Sequence, residues 1–212
     1  MLGNYTIKVS TSSMPQKVAT GLDKVFEGFT GAKYEFIAYL GSQVVNGTNH
    51  AILAKQTLIT AKDVTSLALV ILNEKPGDVA GETLSIAEIQ RLITDEGLMG
   101  GFNIDPMTTI PEEALKVFNM RFGKFVGATN KPIALVATQV VNGMAYIFAV
   151  ESSRVVAPAA GASVSVSPVE ISLVKIFSNY DTIETVCDVL SGSSVAENAK
   201  YSETKFGYAF TW

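Results

Sequence analysis

Residues 41–53 read GSQVVNGTNHAIL, and residues 137–149 read ATQVVNGMAYIFA. The letters QVVNG occur in both stretches, each time between two apolar runs that resemble β-strands. Asn-Gly between such runs is the strongest short-range signal of a β-hairpin, because both residues tolerate positive φ. The sequence therefore predicts two similar hairpins, with Gly47 in the turn of the first and Gly143 in the turn of the second.

The similarity extends beyond the hairpins. Residues 14–50 align with residues 110–146 without a gap, so that Pro15 falls on Pro111 and Phe26 on Phe122. Internal repeats are sought first because a repeat decides the architecture. We infer a tandem duplication, with repeat 1 over residues 1–97 and repeat 2 over residues 98–212.

The elements of each copy follow from local signals. Pro15 and Pro111 are expected to open a helix, where the missing N–H of proline costs nothing. Apolar residues then recur at helical spacing as far as Phe29 and Phe125, and a glycine just beyond predicts the end of each helix. Strands are expected to follow over residues 36–45, 51–59, 133–141 and 145–155.

The later part of each copy is predicted to hold one more strand and then a helix. SLALVILN from Ser66 and EISLVKIF from Glu170 are apolar runs typical of strands. SIAEIQRLI from Ser85 and TIETVCDVL from Thr182 have apolar positions at helical spacing, and Ser85 with Glu88 forms a capping box. The final KFGYAFTW alternates like a strand. The predicted fold class is α+β, with a helix packed on an antiparallel sheet in each of two domains.

Gln-Val-Val-Asn-Gly, placed in a hairpin after a helix, resembles the Gln-x-Val-x-Gly signature of the cystatin family. The first copy is more similar, because QVVNGTNH matches the family's QVVAGTNY, with His50 at the position of the tyrosine. The resemblance implies two tandem cystatin-like domains and inhibition of papain-like cysteine proteases. The family's tryptophan in a second hairpin is missing from both copies, since Trp212 is the only tryptophan.

The resemblance also implies the residues that would contact a protease. In the family, a glycine near the N-terminus and two hairpin loops enter the active-site cleft. Tight turns with glycine allow the backbone to approach a narrow cleft closely. The corresponding residues here are Gly3, Gln43, Val44, Val45, Asn46, Gly47, Pro76 and Gly77 in the first copy, and Gly100, Gly101, Gln139, Val140, Val141, Asn142 and Gly143 in the second.

A different function is compatible with the same pattern. A strand that ends in a favourable turn needs no further purpose, and a duplicated scaffold can keep its turns while it binds something else. The alternative is therefore a non-inhibitory protein-binding or structural module.

Composition bounds the remaining functions. The chain has 212 residues and a formal net charge of −4, which disfavours a nucleic-acid partner. With one cysteine, Cys187, and one histidine, His50, no disulfide and no metal site is expected. The sequence offers no constellation of catalytic residues, so we expect neither an enzyme nor a cofactor, and the resemblance implies a protein partner. His50 is expected in a strand beside the hairpin and Cys187 in a core.

No secretion signal or membrane span is predicted, which favours the cytoplasm.

Overall fold

The computed structural model of the chain describes residues 4–27, 29–60, 63–95, 101–154, 168–194 and 203–205. Two helices of equal length lie within this part, α1 over Gln16–Phe26 and α2 over Glu112–Phe122. The strands are β1 Tyr5–Ser10, β2 Ser13–Pro15, β3 Ala32–Val45, β4 Gly47–Leu58, β5 Val64–Glu74, β6 Ser85–Asp95, β7 Ala128–Val141, β8 Gly143–Arg154, β9 Pro168–Phe177, β10 Ile183–Ser194 and β11 Glu203–Lys205.

Nine of these strands form one sheet, in the order β6-β5-β4-β3-β1-β10-β9-β8-β7. β11 and β2 form a separate pair. The predicted α+β fold of two separate cystatin-like domains is therefore wrong: the described chain is mostly β, and nine of its eleven strands belong to one mixed sheet. Residues 96–100, which contain the predicted domain boundary, lie outside the described residues.

Strand register supports the internal repeat. β3 and β7 each pair with the following strand, with register shifts between Phe36 and Ala38 in the first copy and between Pro132 and Ala134 in the second. These positions differ by 96, as do Gly47 and Gly143 at the hairpin turns. The two copies thus share irregularities of their backbone as well as their order of strands.

The edge of the second copy has a counterpart of β1. In the first copy, Thr6 pairs with Ser42 on β3. In the second copy, Asn103 forms an isolated bridge with Thr138 on β7, and Met107 forms another with Leu135. Since Ser42 and Thr138 are 96 positions apart, the segment 103–107 lies against β7 as β1 lies against β3.

β1 joins the two copies. Besides its antiparallel pairing with β3, it pairs in parallel with the end of β10, where Tyr5 lies opposite Gly192. A Cβ atom on Gly192 would overlap the carbonyl oxygen of Tyr5. Glycine at this position therefore lets the two backbones approach.

Two predicted helices are strands. The segment from Ser85 is β6 and the segment from Thr182 leads into β10, so the capping box of Ser85 and Glu88 does not exist. Ile86 and Ile89 pack in the same cluster although they are three residues apart, because a register shift leaves Ala87 as an extra residue between them. A β-bulge thus produces a spacing that is typical of a helix.

Each helix covers one face of its own copy. Leu22 and Phe26 of α1 are buried against β3, β4 and β5, and Phe118 of α2 is buried against β8. The helices end earlier than predicted, at Phe26 and Phe122, and the predicted helical residues Phe29 and Phe125 are exposed. Neither helix is long and apolar enough to cross a membrane, in the residues described.

The two copies share a core that contains no helix residue. Leu53 and Leu67 from the first copy belong to the same buried cluster as Ile147 and Leu173 from the second, and all four are fully buried. Strands β4, β5 and β8 are thus buried on both faces, by the helices on one and through this common cluster on the other. Burial on both faces makes the strands nearly continuous apolar runs.

Candidate functional site

The turn of the first hairpin rests on a second loop. Val45 and Gly47 pair directly, which leaves Asn46 alone at the apex. Gly47 has φ of 109°, and a Cβ atom there would overlap the backbone oxygen of Glu74 at the end of β5. The described residues with positive φ are all glycines. Asn46 therefore does not adopt the positive φ expected from the sequence.

The second loop, residues 75–84, is organised around one carboxylate. Oδ1 of Asp78 accepts hydrogen bonds from the backbone N–H groups of Ala80 (3.1 Å), Gly81 (2.9 Å) and Glu82 (3.1 Å). Oδ2 accepts from the N–H (2.9 Å) and the hydroxyl (2.7 Å) of Thr83. The bonds from Thr83 and its neighbours hold the pKa of Asp78 well below its usual value. The loop is therefore closed on itself before any partner arrives.

A polar network lies beneath both loops. Glu74 accepts a hydrogen bond from Lys17 on α1 at 2.8 Å through Oε1 and lies 3.1 Å from Nε2 of His50 through Oε2. Lys17 also donates to the backbone oxygen of Asp78. Nδ1 of His50 lies 3.1 Å from the hydroxyl of Tyr39. The network thus connects α1, the three strands β3, β4 and β5, and the second loop.

Burial sets the protonation state of His50, and its two hydrogen-bond partners set its tautomer. Burial lowers the pKa of His50 below its usual value, against the opposing effect of the hydrogen bond to Glu74. The imidazole is therefore neutral near pH 7. An ionised Glu74 can only accept, so Nε2 carries the proton and Nδ1 accepts from the hydroxyl of Tyr39. His50 lies in β4 beside the hairpin, as the sequence predicted.

We call residues 43–47 and 75–79 the first-copy tip. Val44 is 76% exposed and Val79 is 86% exposed, and both belong to the same shallow depression, which Pro76 and Gly77 also line. Lys75 is the one charged residue within these two segments whose charge is not enclosed by the network or the loop. The first-copy tip therefore presents two apolar side chains and glycine-containing backbone.

The second copy has a different tip. Its short second loop folds over the first, because the Asn142 amide donates to the Tyr180 hydroxyl (2.7 Å) and the Asn179 amide donates to the backbone oxygen of Asn142 (3.2 Å). Gly143 has φ of 99°, and a Cβ atom there would overlap the side chain of Asn179. The turn of the second copy is thus covered by its own chain, although Val140 remains 73% exposed.

The remaining predicted site residues are distributed as follows. Gln43 and Gln139 lie in β3 and β7, close to the two turns. Gly101 precedes the segment that pairs with β7. Gly3 and Gly100 lie outside the described residues.

Sequence reasoning missed Lys17, Tyr39, Glu74 and Asp78. Lys17 and Glu74 are 57 positions apart, so no local pattern connects them. The one available signal was a difference between the copies in the alignment. Tyr39 and His50 of the first copy align with Leu135 and Tyr146 of the second.

Other reactive groups offer little chemistry. Burial raises the pKa of the Cys187 thiol, which keeps it protonated and unreactive at neutral pH. Within the described residues, no three of the histidine, cysteine and acidic side chains are grouped so as to hold a metal ion. Comparison of the chain with protein-family models, with curated proteins and with solved structures gave no match.

Proposed function

We propose that the protein inhibits papain-like cysteine peptidases by inserting the first-copy tip into the active-site cleft. The observation that carries the proposal is the contact between the two loops: Gly47 packs directly on the backbone of Glu74, where the second loop begins. Two short loops that meet at one end of a sheet make a narrow wedge. A narrow wedge suits a cleft that binds extended polypeptide.

The chemistry of the tip supports an apolar contact surface in the partner. Val44 and Val79 project from the two loops and are largely exposed. Burying a valine side chain contributes about 1.5 kcal/mol or more. The partner should therefore offer apolar positions on both sides of its cleft.

The loops are held before binding. The carboxylate of Asp78 binds four successive backbone N–H groups, and Lys17 ties the same loop to α1. Association loses less conformational entropy when the binding segment is already ordered. This rigidity distinguishes the tip from a flexible loop, which a peptidase would cleave.

The class of partner comes from the sequence. QVVNGTN in the first copy resembles the cystatin signature, and that family inhibits papain-like enzymes. The second copy keeps QVVNG but covers its turn with Asn179 and Tyr180. We therefore assign inhibition to the first copy, with one peptidase bound per chain.

The test is a titration of papain with the intact protein and three variants. Val44→Asp and Val79→Asp each place a charge on the wedge and should weaken inhibition at least about tenfold, which is about 1.4 kcal/mol. Val140→Asp is the matched control, because Val140 occupies the position of Val44 in the second copy and is equally exposed. It should leave the inhibition constant unchanged.

We expect all three variants to fold, since each substitution is on the surface. Thermal melts check this expectation. Equal losses from Val44→Asp and Val140→Asp would contradict the assignment to the first copy. Failure of the wild type to inhibit papain and related peptidases would reject the proposed function. The non-inhibitory binding or structural module would then be the better description.

A further inference from the structure

The dipeptide Asn-Gly occurs twice in the chain, at Asn46-Gly47 and at Asn142-Gly143, both times within the letters QVVNG. An asparagine before a glycine is prone to spontaneous deamidation, because glycine has no side chain to hinder attack by its own backbone nitrogen. The two asparagines have the same residues on either side, so their intrinsic reactivity is the same. A difference in rate between them must therefore come from the fold.

The two turns have the same backbone geometry. In each copy the asparagine is alone at the apex, between a valine and a glycine that pair directly. Gly47 has φ of 109° and Gly143 has φ of 99°. The side chains of Asn46 and Asn142 are both exposed, so water reaches each of them. Turn geometry and access of water thus do not distinguish the two sites.

The contacts of the two asparagines differ. The side-chain amide of Asn142 donates to the hydroxyl of Tyr180 (2.7 Å), and the backbone oxygen of Asn142 accepts from the amide of Asn179 (3.2 Å). Within the described part of the chain, the side chain of Asn46 makes no hydrogen bond. Asn142 is therefore held in place, whereas the side chain of Asn46 is free to rotate.

Deamidation depends on that rotation. The backbone nitrogen of Gly47 loses its proton to hydroxide and attacks Cγ of Asn46, and the side-chain nitrogen takes a proton from water and leaves as ammonia. Water then opens the resulting cyclic imide at either carbonyl, which yields aspartate or isoaspartate. The net reaction converts an amide and a water molecule into a carboxylate and an ammonium ion. Asn142 must first break its hydrogen bond to Tyr180, which raises the barrier at Gly143.

We propose that Asn46 is a site of spontaneous deamidation and that Asn179 and Tyr180 protect Asn142 from the same reaction. The product places a carboxylate at the apex of the first-copy tip, and isoaspartate also adds a methylene group to the backbone there. Removing a carboxylate from water costs more free energy than removing an amide. Deamidation therefore weakens the proposed inhibition as the protein ages. This consequence rests on the proposed function, whereas the modification itself does not.

The test is incubation of the full chain at mildly alkaline pH, followed by tryptic digestion and tandem mass spectrometry. The two asparagines fall in different tryptic peptides, which end at Lys55 and at Arg154. We expect Asn46 to convert at least about tenfold faster than Asn142, which corresponds to about 1.4 kcal/mol in activation free energy. In concentrated urea the two rates should be equal. Equal rates in the folded chain, or the same difference in urea, would overturn the proposal.

One variant locates the cause of the difference. Tyr180→Phe removes the hydroxyl that holds the side chain of Asn142, and Tyr180 is 45% exposed, so the fold should be retained. A thermal melt checks folding. The rate at Asn142 should rise several-fold, and the rate at Asn46 in the same molecule is the internal control. An unchanged rate at Asn142 would reject protection by Tyr180.

Papain inhibition by fresh and aged protein tests the consequence separately. Aged wild type should inhibit more weakly than fresh wild type. Asn46→Gln, whose longer side chain forms a cyclic imide much more slowly, should keep its own fresh inhibition constant after ageing. An equal loss in aged Asn46→Gln would overturn the link between Asn46 and inhibition. Failure of fresh wild type to inhibit would reject the proposed function, and the rates of deamidation would still decide the modification.

Discussion

Nε2 of His50 lies 3.1 Å from a carboxylate oxygen of Glu74, and both side chains are almost entirely withdrawn from solvent. In the aligned second copy, Tyr146 takes the place of His50 and packs near Phe148. The first copy thus keeps an imidazole, which titrates within a few units of neutral pH, where a phenol with a pKa raised by burial is sufficient for the fold. This choice makes the first copy sensitive to pH.

The first prediction concerns that sensitivity. Because the folded-state pKa of His50 is lowered, the unfolded chain takes up a proton near pH 6.5 that the folded chain takes up only at lower pH. The contribution of neutral His50 to the free energy of unfolding is present above about pH 6.5 and is lost as pH falls towards the folded-state pKa. Urea unfolding of the wild type and of His50→Gln should show a steeper loss between pH 7.5 and pH 5 in the wild type. Parallel pH profiles would contradict a buried neutral His50.

The second prediction concerns the second loop. The pKa of Asp78 is lowered by its hydrogen bonds, so its contribution to stability is present above the unfolded-state value and lost in acid below it. Asp78→Asn keeps the shape but removes the charge and one acceptor. We expect a lower melting temperature at pH 7 and faster amide hydrogen exchange of Gly81, Glu82 and Thr83. Exchange rates equal to those of the wild type would show that other contacts order the loop.

The third prediction concerns the helix-facing core. Phe118 is 2% exposed and contacts Phe148 across the α2–sheet interface. Phe118→Ala should lower the free energy of unfolding by about 3–5 kcal/mol, the range for deleting a buried phenylalanine. Phe125→Ala is the control, because Phe125 is 55% exposed and should cost less than about 1 kcal/mol. Similar losses from both would mean that α2 does not form this core.

The fourth prediction concerns the joint between the copies. Gly192→Ala would bring a methyl group against the backbone oxygen of Tyr5 and should weaken the pairing of β1 with β10. We expect a lower melting temperature and faster amide exchange in both strands. Ser191→Ala, at the exposed neighbouring position, should leave both measurements unchanged. A stable Gly192→Ala variant would show that the joint tolerates a wider strand separation.

The repeat and the two hairpins could be predicted because their signals are local and occur twice. Asn-Gly marks each turn, and the gapless alignment places β3 and β4 on β7 and β8. The helices were predicted too long, since Phe29 and Phe125 continue the apolar spacing past the last helical turn. β6 was predicted as a helix because a bulge at Ala87 changes the strand period.

The single sheet was missed, although one run of sequence indicated it. Residues 67–72 of β5 are all apolar and all buried, with Leu67 and Leu69 in the shared cluster and Val70 and Leu72 beneath α1. A separate helix-on-sheet domain would leave one sheet face in water, and its strands would alternate. The polar network could not be predicted from one sequence, because its members meet only in the folded chain.

The position of β1 affects how the protein folds during synthesis. β1 leaves the ribosome before the second copy, which contains Gly192 and Ser193 of β10, the residues that complete its pairing. Until then one edge of β1 lacks its final partner, and exposed strand edges favour association with other chains. Pairing between residues so distant in sequence also slows folding. The nascent first copy thus lacks this partner until the second copy has been synthesised, so that slowing elongation between the two should prolong its exposure to aggregation and to chaperones.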